Sequence, residues 1–208
     1  GFSAYIDINN NEKCKPVMEV HTKVLYDKLD FVFSMIQEIL FTSVIEDDKR
    51  IYEILAQLKS RLEMGLTSSG HATAYSRGLS YISPTAYYSE LTSGIEFYKF
   101  IDGLEKEFRE RKEAIYLNLR KTMHYLFRPE NMLVSYTANA EGYQPLPNIV
   151  KDFKKLLFTE EIEREEVKLP LVVKNEGFKT SGQVQYVARV GNFQKAGYAY
   201  TGALRVLR

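Results

Sequence analysis

Residues 18–40 read MEVHTKVLYDKLDFVFSMIQEIL, and the spacing of apolar side chains changes within this stretch. Up to Val24, apolar residues alternate with polar ones, which is typical of a half-buried β-strand. Beyond Asp27, apolar residues recur every three or four positions, as on one face of an α-helix: Leu29, Val32, Phe33, Ile36, Ile39 and Leu40. The change of period predicts a strand followed by a helix.

The residues that precede this stretch also predict strand structure. Phe2, Ala4, Ile6 and Ile8 alternate with polar or amphipathic neighbours, and the asparagines at 9–11 form a turn signal. Residues 2–25 are therefore predicted to form a hairpin of adjacent antiparallel strands.

The residues that follow predict mainly helices. A second helix is predicted to begin at Asp47 or Asp48 and to fade at Gly65, and short helices broken by loops are expected over 66–94. A long helix with an apolar stripe from Ile101 to Leu126 and a short helix over roughly 147–157 come next. Strand-like patterns recur at 132–137 and 184–190. The predicted fold class is α+β, with helices packed on a mainly antiparallel sheet.

Composition excludes several classes of function. The formal net charge of the 208 residues is +1, which gives no field to attract nucleic acid or an anionic membrane. No apolar run approaches the roughly 20 residues that span a bilayer. Cys14 is the only cysteine, so an intrachain disulfide and a cysteine-rich zinc cluster are excluded, and a reducing compartment is favoured.

The common phosphate and zinc motifs are missing. Gly65 and Gly70 have the spacing of a phosphate loop, but His71-Ala72 follows where lysine and a hydroxyl residue are required. The three histidines, His21, His71 and His124, form neither H-E-x-x-H nor H-x-x-E-H.

Glu19 and His21 share a strand face and could supply two of three zinc ligands, but an exposed polar face continued by Lys23 is the favoured interpretation. His124 lies at the edge of an apolar helical stripe and is interpreted as a packing histidine.

Two conceivable nucleophile–base pairs have simpler interpretations. His71 follows Ser68 and Ser69, but residues two or three apart in sequence rarely meet as nucleophile and base, so a helix cap with His71 in a helix junction is favoured. Cys14 with His21 would lie on one short hairpin without a supporting Asn or Asp.

The stretch from 49 to 108 resembles the third domain of presequence-protease-type members of the pitrilysin/insulinase superfamily of zinc metallopeptidases. The resemblance is carried by KRI at 49–51, LKSRLE at 58–63, GH at 70–71 and RGLSYISP at 77–84, followed by Tyr88, Glu90, Gly94-Ile95, Tyr98 and Phe100. NMLVSYT at 131–137 is similar to the strand after that domain's long helix. VQYVA at 184–188, with Gly197-Tyr198 and TGAL at 201–204, is similar to the opening of the fourth domain.

The resemblance implies a fragment of a four-domain enzyme that encloses peptides in a closed chamber. Residues 1–158 correspond to the third domain, residues 159–180 to a charged connector, and residues 181–208 to the first strand and a truncated helix of the fourth domain. The family's zinc site lies in the first domain, so no catalytic or metal-binding residue is carried over. The expected role is structural and substrate-enclosing, in a bacterial cytoplasmic protein whose partners are the other domains and a peptide substrate.

The residues that match the family pattern are interpreted as structural: Arg61, Gly70, His71, Arg77, Ser80, Ser83, Pro84 and Gly94. Self-association through uncovered apolar surface is expected at Leu204, Val206 and Leu207 and at the sheet edge. Two alternatives stay open: a free-standing peptide- or protein-binding module without catalysis, and a small hydrolase that uses His71 with Ser68 or Ser69.

Overall fold

A small sheet opens the chain and helices make up most of the rest. The computed structural model describes residues 1–7, 10–163, 168–180, 183–199 and 201–206. Strands β1 (Phe2–Asp7) and β2 (Asn10–Met18) pair as a two-stranded antiparallel sheet. The predicted α+β class is confirmed, and the observed sheet is smaller than the alternating patterns predict.

The helices begin after a 3₁₀ turn at Tyr26–Lys28, and a second 3₁₀ turn lies at Pro129–Asn131. In chain order they are α1 (Leu29–Phe41), α2 (Asp48–Ser68), α3 (Gly70–Ser80), α4 (Pro84–Ser93), α5 (Ile95–Lys106), α6 (Phe108–Leu126), α7 (Ala140–Tyr143), α8 (Leu146–Lys154) and α9 (Ala203–Val206). The predictions of the first two helices, of short helices within 66–94 and of a helix near 147–157 are confirmed.

The predicted long helix is instead two helices. Glu107 separates α5 from α6, with a backbone φ of −98° and ψ of 14° that leaves the helical region. The apolar spacing continues through Ile101, Leu104 and Phe108 without glycine or proline at the break, so the sequence contains no signal for it.

Three predicted strand segments do not form strands. The hairpin ends at Met18 rather than near 25, and the stretches 132–137 and 184–190 have no strand pairing in the structure as described. Alternation predicts a strand only where a second backbone supplies the ladder of hydrogen bonds. Every residue of these two stretches is exposed or half-buried, with Leu133 92% and Val187 85% exposed, so neither stretch contributes a buried residue to the core.

The chain divides into two compact units, and the first contains residues 1, 18–54 and 106–166. Its core is formed by apolar side chains of α1, α6 and α8 and of the turn after α8: Leu29, Val32, Phe108, Ile115, Tyr116, Leu146, Phe153 and Leu157. Phe33 on α1 meets Phe153 on α8 edge to face, with ring centroids 5.4 Å apart. Ile39, which the helical spacing places on the apolar face, is 60% exposed.

The second unit contains residues 2–17, 55–105 and 167–208. The later part of α2, together with α3, α4 and α5, supplies its helices, and β1 packs against α4. Lys59 on α2 bonds Asp102 and Glu105 on α5 at 2.7 and 3.1 Å, and these hydrogen bonds raise its pKa despite the opposing effect of burial. Every residue of the site described below belongs to this unit.

Candidate functional site: the Arg77 cluster

Arg77 on α3 is a buried cation at the centre of a charged cluster. The residue is 7% exposed, and its Nη1 donates to Oε1 of Glu90 on α4 at 2.9 Å. Glu90 is itself only 3% exposed, and the same carboxylate oxygen accepts the backbone N–H of Glu96 at 3.1 Å. A buried charge pair of this kind is tolerated because hydrogen bonds replace the lost hydration.

Two further carboxylates complete the cluster. Nη2 of Arg77 lies 3.0 Å from Oε1 of Glu96 on α5 and 2.6 Å from Oε1 of Glu176. Nε donates to the same Glu176 oxygen at 2.8 Å, so each guanidinium nitrogen faces a carboxylate of the chain. Lys99, 3.1 Å from Glu96, adds a second cation against the three carboxylates.

Aromatic rings cover the guanidinium. Its central carbon lies 5.4 Å from the ring centroid of Tyr81 and 5.6 Å from that of Phe178. The Tyr81 hydroxyl bonds both Arg77 and Glu176. Stacked and forked contacts together are geometry that arginine provides and lysine does not.

Charge balance within the cluster is visible in two pKa shifts. Burial disfavours the charge on Arg77, but hydrogen bonds and attraction from Glu176 and Glu90 outweigh it and raise the pKa. Burial likewise opposes ionisation of Glu96, yet Lys99 and Arg77 hold the pKa of its carboxyl below the usual value. The Arg77 guanidinium is therefore cationic and the Glu96 carboxyl anionic at neutral pH. The carboxylates of Glu90, Glu96 and Glu176 occupy the guanidinium nitrogens of Arg77, so the cluster joins α3 to α4, to α5 and to the segment that contains Glu176.

Gly94, between α4 and α5, is required by the same cluster. A Cβ at this position would lie 2.2 Å from Oε2 of Glu90 and 2.9 Å from its Cα. Any larger residue would displace the Glu90 carboxylate from Arg77. The structure thus brings together Arg77 and Gly94, two residues named from the sequence pattern.

The neighbouring motif residues shape the turn from α3 to α4. Ser80 is 2% exposed and its hydroxyl donates to the Arg77 carbonyl at 2.7 Å. Ser83 caps α4 by accepting the Ala86 N–H at 3.4 Å, and Pro84 occupies the first turn. These contacts fix the direction in which α4 presents Glu90.

Gly70 and His71 lie at the other end of α3. The ring carbons of Tyr186 would be 2.7 Å from a Cβ at Gly70, and the His71 and Tyr186 rings are 5.9 Å apart. Ser69 precedes the helix at the N-cap position without a side-chain cap bond, and the Ser68 hydroxyl bonds the Gly65 carbonyl at 3.4 Å. The structure therefore places His71 beside an aromatic ring, with Ser68 bonded to backbone.

Arg61 on α2 is exposed and lines a cavity of about 460 Å³ between α2, α3 and α4. Most of the lining residues are small, among them Gly65, Ala72, Ser76 and Ser89, and Glu90 and Gly94 form part of the wall.

The other acid, base and thiol candidates are dispersed. Nε2 of His21 lies 3.3 Å from Oε2 of Glu19 at the surface, and His124 stacks on Phe158 with centroids 3.9 Å apart. Burial raises the pKa of the Cys14 thiol, opposite to what a reactive thiolate requires. Zinc needs at least three converging ligands, and the described residues contain no group of three or more His, Cys, Asp or Glu side chains that could hold a metal. The donor set here does not fit the zinc of the resembled family.

Sequence reasoning missed most of the carboxylates of the cluster. Glu90 enters only as part of the resemblance pattern, and Glu96 and Glu176 lie 19 and 99 positions from Arg77, with no periodicity that links them. A buried arginine requires acidic partners, but the partners' positions depend on the tertiary fold. None of the helices in the described ranges is both long and apolar enough to cross a membrane.

The sequence is similar to a known protein family and to several longer proteins. Residues 1–104 match the model of a family described as associated with M16 peptidases of subfamily C. The chain is 34% identical over 207 residues to "Protein HypA" of Clostridium perfringens, covering 100% of this chain and 21% of that protein.

Two presequence proteases also match. The plant protein "Presequence protease 1, chloroplastic/mitochondrial" of Arabidopsis thaliana is 27% identical over 204 residues, which are 95% of this chain and 18% of that protein. "Presequence protease, mitochondrial" of Danio rerio is 24% identical over 128 residues, 61% of this chain and 12% of that protein. The chain thus spans about a fifth or less of the length of these relatives.

Proposed function

Because the chain belongs to this peptidase-associated family, we propose that it is a non-catalytic structural segment of a larger zinc metalloendopeptidase that degrades peptides inside a closed chamber. The observation that carries the proposal is the match of residues 1–104 to that family, extended over the whole chain by the 34% identity to a protein about five times longer. Two of the other matching proteins are named as presequence proteases.

The Arg77 cluster supports a structural role. Its three carboxylates come from α4, α5 and the segment that contains Glu176, so one cation joins three stretches of chain in the second unit. A wall element has to keep its shape when substrate enters and leaves, and the buried Arg77–Glu90 pair favours one arrangement of α3 and α4 over looser ones.

Zinc and the water that it activates would come from another domain of the parent, since the donors among the described residues do not form a group that fits the metal. Within that enzyme, residues 1–158 would form a third domain and residues 159–180 a charged connector. Residues 181–208 would begin a fourth domain. We also propose that the parent enzyme is a bacterial cytoplasmic protein.

Exposed apolar side chains mark the surface that the other domains would cover. Phe2, Tyr5 and Ile6 on β1 are 56%, 57% and 51% exposed, and Val206 is 84% exposed. The side chain of Leu204 and all of Leu207 lie outside the described part of the chain. The same uncovered surface would support self-association of the isolated chain.

The reading frame around the gene segment tests the proposal. We expect an H-x-x-E-H motif upstream of residue 1 in the parent chain, since this ordering places two histidines and a glutamate on one helical face. A parent of similar length to its relatives but without any zinc-binding motif would contradict the metallopeptidase role.

A free-standing peptide- or protein-binding module is the second candidate, and the cavity of about 460 Å³ is the observation that favours it. The volume lies within the range of about 300–1,000 Å³ common for ligand pockets. Binding of a labelled peptide library to the isolated chain, lost when Arg61→Ala removes the cation from the cavity wall, would support this candidate over the structural segment.

A further inference from the structure

The described residues 174–180 and 183–190 have no regular secondary structure, and Glu176, Tyr186 and Val190 among them contact α3. We call the described residues 174–180 and 183–190 the strap. Most of its side chains are exposed, including Phe178 at 43% and Tyr186 at 48%. Segments with few buried contacts open at low free-energy cost, so the contacts that remain decide whether the strap stays in place.

Two contacts seat the strap on glycines of α3. Tyr186 lies against Gly70, and Val190 lies against Gly78 with its methyl carbons 3.0 and 3.1 Å from where a Cβ would be. Eight residues of helix rise about 12 Å, and four residues of extended chain span about 13 Å. The two spacings agree, so the chain from Tyr186 to Val190 runs alongside α3 in the same direction. No side chain on α3 separates the two backbones at these points, and that explains why glycine occupies both.

Glu176 adds an ion pair with Arg77 and a hydrogen bond from the Tyr81 hydroxyl. The Nη2–Oε1 distance of the ion pair is 2.6 Å, and Phe178 covers the same guanidinium. The two carboxylates differ in their access to water, since the Glu176 side chain is 26% exposed and that of Glu90 only 2%. Water can hydrate Glu176 after the contact breaks, whereas Glu90 has no such replacement.

We propose that the strap is releasable: it lifts from α3 by breaking the contacts of Glu176 with Arg77 and Tyr81 and those of Tyr186 and Val190 with the two glycines, while the Arg77–Glu90 pair stays intact. Lifting uncovers Gly70, His71 and Gly78 on one face of α3. The inference concerns a movement of this chain and does not depend on the proposed peptidase role.

Cross-linking tests whether the strap is seated as described. In a Cys14→Ser background, Gly78→Cys with Val190→Cys places Cβ atoms about 3.7 Å apart, within the 3.5–4.5 Å typical of disulfides. We expect this pair to oxidise rapidly. The matched control is Gly103→Cys with Val190→Cys, because nothing lies within 4 Å of a Cβ at Gly103. Equal oxidation of the two pairs, or none in the first, would overturn the seating.

Limited proteolysis tests release. Glu176→Gln should speed tryptic cleavage after Lys179 by roughly tenfold, because the charge assistance of its contacts with Nε and Nη2 of Arg77 is lost, and should leave the urea midpoint of the helices unchanged. Glu161→Gln changes an exposed position of the preceding segment and is the control. It should change neither the rate of cleavage after Lys179 nor the urea midpoint. Oxidising the 78–190 pair should protect the strap from trypsin in either background.

Two results would overturn the proposal. If Glu176→Gln lowers the urea midpoint as much as Glu90→Gln does, the strap and the helices form one cooperative structure. If it leaves cleavage after Lys179 unchanged, the Arg77–Glu176 contact does not hold the strap.

Discussion

The guanidinium of Arg77 and the carboxylate of Glu90 form an ion pair of 2.9 Å with 9% and 2% of their side chains exposed. The pair joins α3 to α4 from inside the second unit, where neither charge has water as an alternative partner. Loss of Arg77 would leave the Glu90 carboxylate buried without a counter-charge, whereas loss of Glu90 would leave Arg77 with the carboxylates of Glu96 and Glu176.

Glu90→Gln should destabilise the chain by about 2 kcal/mol, because a neutral amide weakens the charge-assisted hydrogen bonds that the buried carboxylate accepts from Arg77 and from the Glu96 N–H. Urea unfolding followed by circular dichroism measures the change. Glu63→Gln, at an exposed position of α2, is the control. Its free energy of unfolding should stay within about 0.5 kcal/mol of that of the unmodified chain. Equal stability of the two variants would show that the cluster does not support the fold.

Gly94→Ala should destabilise the chain by about 2 kcal/mol, since the new methyl group overlaps the Glu90 carboxylate and backbone. Gly103→Ala makes the same change within α5, where nothing lies within 4 Å, and should stabilise by up to about 1 kcal/mol through helix propensity. Thermal melts of the two variants should move in opposite directions. A shift of the same sign and size in both would contradict the close packing at Gly94.

The sequence predicts the local elements well and their partners less well. The change of apolar spacing near Asp27 predicts the hairpin and α1, because both depend on neighbours close in sequence. The stretches 132–137 and 184–190 alternate equally clearly, but a strand also needs a second backbone, and Tyr186 and Val190 instead meet glycines of a helix. Likewise the pattern around 77–84 identifies Arg77, whereas Glu176 becomes its partner only through the tertiary fold. That the motif residues serve the structure stays a prediction.

The low pKa of Glu96 predicts acid sensitivity. A carboxyl whose pKa is lowered by folding contributes stability above its unfolded value of 4.5, and this contribution is lost as the pH falls through the lower folded value. The free energy of unfolding should therefore decrease below about pH 4.5. Glu96→Gln should show a weaker dependence over this range, measured by urea unfolding at each pH. An unchanged slope in that variant would contradict the assignment.

Tyr116 on α6 predicts a second titration, at alkaline pH and in the first unit. Burial, the hydrogen bond that its hydroxyl donates to Asp48 at 2.7 Å, and the negative charge of Asp48 raise its pKa from 10.0 to about 12. Folding favours the protonated phenol, so this stability is present below pH 10.0 and is lost as the pH rises towards about 12. The difference in absorbance at alkaline pH between the unmodified chain and Tyr116→Phe isolates the titration of Tyr116 among the 15 tyrosines.

Asp48→Asn removes the negative charge and should return the Tyr116 titration towards 10.0. Tyr116→Phe should also reduce the loss of stability between pH 10.0 and about 12. If Tyr116 titrates at its ordinary pKa in the unmodified chain, the contact with Asp48 is contradicted.

Hydrolysis by the purified 208-residue chain tests the central claim most directly. Zinc content is measured by mass spectrometry, and turnover of a fluorogenic peptide library is followed with and without added zinc, beside His21→Ala and His71→Ala variants. We predict less than stoichiometric zinc and no turnover above background in any sample. Peptide cleavage by the unmodified 208-residue chain that either histidine substitution abolishes would contradict a non-catalytic role.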